Sequence, residues 1–173
     1  MDIKRCSGLI LHPTSLPSKY GIGDFGNSCF KFLDLLHDSK TTLWQVLPLG
    51  ITDEVEYSPY SSKSSILGNP YLISLDDFEN DISLKNLSIN LHNLPVDEVN
   101  FEKVYEIKNQ VFSELSKKLD LNDIEIKNFL NKKLIKEHII FKTLSDVFKV
   151  NWTEWDHEYL TYSLDLYNNI III

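Results

Sequence analysis

The chain has 173 residues, of which 43% are hydrophobic, 24% charged and 12% aromatic, the make-up of a globular domain with a core. A net charge of −8 and a pI near 5, with the lysines from Lys103 to Lys149 interspersed among acids, leave no basic footprint for a phosphate backbone and exclude nucleic acid as an expected partner. No stretch approaches the roughly 18 apolar residues of a membrane span, and Leu9-Ile10-Leu11 is too short for a signal peptide, so a cytoplasmic protein without membrane contact is expected.

Two cysteines, Cys6 and Cys29, are too few for a disulfide framework and lack metal-ligand spacing, so both are expected to be reduced packing residues. Alanine is absent and Arg5 is the sole arginine, while Ile, Lys and Asn abound, a compositional bias that carries no chemistry.

In chain order, Ser7 to His12 is a short apolar run closed by Pro13, with the length of a buried parallel strand. A polar loop containing Gly21, Gly23 and Gly26 follows. Cys29, Phe32, Leu33 and Leu36 then recur at 3-1-3 spacing, which predicts an amphipathic helix with Asn27 available as its N-cap. Thr42 to Leu47 is β-branched and aromatic and stops at Pro48 and Gly50, a second strand. Strand, helix and strand within about 40 residues make one βαβ unit, with parallel strands and a right-handed crossover.

Residues 51–68 form a long polar loop carrying Tyr57-Ser58-Pro59-Tyr60, and loops of that length inside a compact domain are usually functional. Asn69 to Leu75 offers another short extended piece, and 76–95 look irregular. Beyond Asn100 the apolar residues Val104, Ile107, Val111, Leu115 and Leu119 predict a helix. Asn122 and Glu125 make a capping pair for a second helical stretch that reaches Phe148, with a break expected between Asn131 and Glu137.

Four blocks in order carry a family resemblance: His12-Pro13-Thr14-Ser15-Leu16-Pro17 continuing through Gly21-Ile22-Gly23-Asp24-Phe25-Gly26; Leu43-Trp44-Gln45-Val46-Leu47-Pro48-Leu49-Gly50; Ser58-Pro59-Tyr60; and Gly68-Asn69-Pro70. Together they resemble the amylomaltases, the 4-α-glucanotransferases of glycoside hydrolase family 77. Weaker similarity continues through Val96-Asp97, Phe141 to Leu144 and Trp152 to Trp155.

The resemblance implies an α/β fold, a partial (β/α)8 TIM barrel whose first βαβ unit lies in residues 1–75, with a mostly α-helical insertion after the second strand over 76–173. It also implies transfer of α-1,4-glucan segments between maltooligosaccharides by a retaining double displacement, without cofactor or metal. In the family the Ser-Pro-Tyr segment lines the sugar subsite next to the scissile bond, so Ser58 and Tyr60 are the implied substrate-binding residues, Tyr60 stacking on a glucose ring. The run before it, Asp53 to Tyr57, is one residue longer than the family's usual pattern and puts Tyr57 where an aspartate is common.

Outside this context His12 is expected to be structural, Asp24 to cap a helix or turn, and Trp152 and Trp155 to pack one helical face. None of them is assigned to the site. The family's catalytic carboxylates come from later strands, so none is assigned here. Asp24, Asp53, Glu54 and Glu56 are expected to be loop charges. A barrel of this class needs about 250 residues, and the closing Asn168 to Ile173 resembles nothing in the family, so a fragment inactive by itself is expected. The alternative is a non-catalytic glucan-binding module, which saturable maltoheptaose binding lost in Tyr60→Ala would favour.

Overall fold

In the computed structural model, residues 5–62, 64–78, 94–95, 97–161, 163 and 165–167 are described. Contacts divide the chain into two compact units, Met1–Lys118 and Leu119–Ile173. This is a division by packing, distinct in kind from the boundary expected from sequence at residues 75/76. Among the described residues no helix is long and apolar enough to cross a membrane.

The first unit opens with the expected βαβ. Strand β1 (Gly8–Ile10) pairs in parallel with β2 (Leu43–Gln45), Leu9 opposite Trp44, and α1 (Asn27–Asp38) links them. A Cβ on Gly8 would meet that of Leu43 at 2.9 Å, so glycine suits this close approach. Both strands are shorter than the apolar runs predict. They are also exposed rather than buried, with Leu9 at 48% and Ile10 at 66%, because among the described residues the sheet has two strands and no cover over these side chains.

Helix α1 buries Cys29 and Leu36 as the spacing predicts, whereas Leu33 is exposed. Its N-cap is Gly26 and not Asn27. The cap makes no side-chain hydrogen bond, and the distant Asp76 carboxylate instead accepts from the Asn27 N–H at 3.1 Å. Long-range closure of the chain thus takes over a task that local sequence assigns to the nearest Asn.

The expected extended piece at Asn69–Leu75 is instead a 3-10 turn at Pro70–Leu72. Pro70 supplies the fixed φ at its first position and the Asn69 side chain accepts from the Tyr71 N–H at 2.9 Å. The expected irregular run 76–95 lies mostly outside the described residues. Helix α2 (Phe101–Ser116), capped by the Asn100 side chain, buries Val104, Tyr105, Lys108 and Val111. Two apolar clusters meet on it, one of Tyr20, Leu75 and Val111 and the other of Ile22, Tyr71, Val104 and Tyr105. Each such apolar side chain contributes on the order of 2 kcal/mol when buried. Gly21, at φ +74, lets the glycine-rich loop press against this core, where a Cβ would strike Leu94 and Val104.

The second unit holds α3 (Ile124–Leu130) and α4 (Lys133–Phe148), with the expected break falling at Asn131 and Lys132. The α3 cap is Asp123, one residue beyond the expected Asn122, and its carboxylate accepts from the N–H groups of Glu125 and Ile126. Ile140, Leu144 and Trp155 form its core. Both tryptophans line one cavity with Ile140 and Phe141 of α4, Trp155 packing on Phe141 and Phe148 while Trp152 stays 54% exposed.

Candidate functional site

The loop after β2 is closed at its base by two pairs. Gly50 bridges Gly68 in antiparallel fashion, with the Asn69 N–H donating to the Leu49 carbonyl at 2.7 Å, and Thr52 bridges Ser62. The second and fourth blocks are therefore adjacent in space, with the third held out between them.

Within that hairpin the Asp53 N–H donates to the Ser61 carbonyl at 3.1 Å, and the Asp53 carboxylate accepts from the N–H groups of Val55 at 2.8 Å and Glu56 at 2.6 Å. Asp53 is thus a loop organiser, a role that its reading as a free loop charge misses; the signal was an Asp followed two to three residues later by exposed backbone, an Asx turn.

The tip is the turn Ser58-Pro59-Tyr60-Ser61, closed by the Ser61 N–H to the Ser58 carbonyl at 3.1 Å. Proline at the second position presets the turn. The Ser58 hydroxyl accepts from the Tyr60 N–H at 3.2 Å, which fixes its orientation, and the Tyr60 ring stands 73% exposed. The two implied sugar-binding residues are thus neighbours in one turn, one hydroxyl and one free aromatic face.

Tyr57, just before the turn, adopts φ +54. That conformation costs a non-glycine residue about 1–2 kcal/mol. Its ring stacks on Phe101 at 5.4 Å between centroids and meets Tyr105 edge-on at 5.0 Å. Tyr105 is anchored in turn: its hydroxyl lies 2.7 Å from the Thr52 hydroxyl, and its ring stacks on Tyr71. Tyr57 is therefore packed into the face of α2.

At the end of β1, His12 lies 2.7 Å from the Thr14 hydroxyl through Nδ1 and caps the 3-10 turn Pro13–Ser15, as a structural histidine does. Among the described residues its Nε2 makes no hydrogen bond of good geometry, and burial pushes the imidazole below its ordinary pKa while the Pro48 backbone pulls the other way. Asp24 caps a turn, accepting from the Gly26 N–H at 2.9 Å, and burial raises its carboxyl above the usual range against the pull of Lys108. It is therefore an internal group and not the solvated loop charge expected from sequence. Among the described residues no group of three or more His, Cys, Asp or Glu side chains is placed to hold a metal ion.

Comparison with known proteins identifies the family. A family model described as 4-alpha-glucanotransferase matches residues 11–169. A chloroplastic/amyloplastic 4-alpha-glucanotransferase of Solanum tuberosum is 36% identical over 164 residues, covering 88% of this chain and 28% of that protein. A 4-alpha-glucanotransferase of Aquifex aeolicus is 35% identical over 157 residues, covering 89% of this chain and 32% of its own length. An amylomaltase from Streptococcus agalactiae, solved in complex with acarbose, superposes with a TM-score of 0.75 at 27% identity, over 96% of this chain and 35% of that one. The chain thus spans about a third of the length of the relatives it matches, and it belongs to the 4-alpha-glucanotransferase family.

Proposed function

We propose that this chain is the part of a 4-α-glucanotransferase that supplies the first βαβ unit of a (β/α)8 barrel, over residues 1–75, and a largely helical insertion over 76–173. Ser58 and Tyr60 contribute part of a sugar subsite. The observation that carries this reading is the hairpin between Gly50 and Gly68, which follows β2 and presents the Tyr60 ring to solvent beside a fixed Ser58 hydroxyl. In barrels of this class, active sites lie at the C-terminal ends of the strands, where this hairpin emerges. A glucose ring offers apolar C–H faces to an aromatic ring and hydroxyls to a serine, which suits the pair.

The reaction needs more than this. Retaining transfer requires a nucleophilic carboxylate and a carboxylic acid about 5–5.5 Å apart, forming a glycosyl-enzyme that an acceptor sugar resolves. Asp24 is buried and tied to Gly26, and Asp53 is spent on its own loop, so neither acid is free for that role. On this reading the catalytic carboxylates come from residues outside these 173, which orient a sugar without transferring it. Incubation with maltotriose tests this: the purified chain is expected to release no glucose above blank, and robust disproportionation would overturn the assignment of catalysis to residues outside it.

A further inference from the structure

The turn that carries Ser58 and Tyr60 is joined to the rest of its unit at its base and at its flank. Its base is closed by Asp53 and Ser61 through backbone, and its flank is held by the ring of Tyr57. The Asp53 carboxylate also accepts from the Tyr57 N–H at 3.4 Å, and the Ser61 hydroxyl donates to the Glu56 carboxylate. Among the described residues Tyr60 itself makes no ring contact, and the Ser58 hydroxyl is taken up inside the turn. Tyr57 holds a left-handed backbone that glycine adopts at far lower cost. Its ring is what opposes that cost, lying parallel to Phe101 at 14° and edge-on to Tyr105 at 88°.

We propose that Tyr57 is a positioning residue, whose ring, seated on Phe101 and Tyr105 of α2, fixes the adjoining turn so that Tyr60 stays presented to a glucan ring. The proposal rests on the reading of Ser58 and Tyr60 as part of a sugar subsite. Tyr57 acts through the turn and does not touch sugar. Its aromatic contacts are of the size that shifts an equilibrium about threefold to tenfold, enough to set how much of the time the turn is competent. The helix α2 thereby becomes part of the sugar-orienting apparatus although it carries neither of the contacting residues.

The test is amide NMR on the full 173-residue chain, with Tyr57→Gly, Tyr57→Phe and Phe101→Leu. Without ligand, Tyr57→Gly is expected to raise fast mobility at residues 58–61 while the α2 amides keep their shifts, and Tyr57→Phe to leave both unchanged. With maltoheptaose, the initial slope of the Ser58 amide shift against sugar concentration measures relative affinity without saturation. It is expected to fall about threefold to tenfold in Tyr57→Gly and Phe101→Leu, and to stay near the original in Tyr57→Phe. Adding Tyr60→Ala to Tyr57→Gly is expected to lower it less than Tyr60→Ala does in the unaltered chain.

An undiminished slope and an ordered turn in Tyr57→Gly would overturn the positioning role, and so would fully additive losses, which mean that Tyr57 touches sugar itself. No shift at Ser58 or Tyr60 in the unaltered chain would instead overturn the subsite reading.

Discussion

The ammonium of Lys108, wholly buried on α2, donates to the carbonyl of Tyr71 at 2.7 Å, and a second bond of 2.9 Å reaches the carbonyl of Ile73. A single side chain thus satisfies two carbonyls in and after the 3-10 turn following Asn69 and locks that turn to the helix that also receives Tyr57. Replacing Lys108 with Met leaves both carbonyls without that donor and removes the positive charge near the buried Asp24. The expected loss is about 2–4 kcal/mol at pH 7, read from chemical denaturation.

The same lysine sets a pH signature. Burial lowers its pKa from 10.5 to about 8, with Asp24 pulling the other way. Between pH 8 and 10 the unfolded chain holds a proton that the folded chain has released, so the stability contributed at this site rises across that window. The free-energy gap between the unaltered chain and Lys108→Met is expected to widen from pH 8 to pH 10. A constant or narrowing gap would contradict the buried charge. The window stops short of Tyr71, whose phenol is pushed up to about 12, chiefly by burial.

Asp76 gives the same sign in the acid range. Burial works to raise its carboxyl, yet the Asn27 N–H and Lys19, with the Tyr20 hydroxyl, hold it below the usual range. Its stabilisation is present above the unfolded carboxylate pKa and fades as pH falls through the folded value. Asp76→Asn is expected to cost about 1 kcal/mol at pH 7, with the difference from the unaltered chain shrinking as pH falls below the ordinary carboxylate range.

Tyr105→Phe isolates the root of the hairpin. It removes the 2.7 Å contact with the Thr52 hydroxyl and leaves the ring stacked on Tyr71 and edge-on to Tyr57. The expected cost is about 1 kcal/mol, because Thr52 is buried and loses its partner. Thermal unfolding of the two proteins side by side measures it.

Where the sequence was legible, the signal was short-range or periodic. The alternation of apolar residues placed α1 and α2, and the ordered blocks from His12 to Pro70 marked the family before any coordinates. What could not be read was closure over distance. Nothing near Asn27 says that Asp76 satisfies its N–H, and nothing in the rhythm of α2 says that Lys108, an ordinary solvated charge by type, turns inward to the carbonyls of Tyr71 and Ile73. Tyr57 showed the same limit: the extra residue in its loop was visible, but the ring's seat on Phe101 depends on a helix more than 40 residues away.

The most direct measurement is a maltoheptaose titration of the intact chain followed by NMR, compared with Tyr60→Ala. The account predicts shifts concentrated at Ser58 and Tyr60 that grow with sugar without saturating, with an initial slope reduced about threefold to tenfold in Tyr60→Ala. Shifts absent from that turn, or unchanged by Tyr60→Ala, would contradict it.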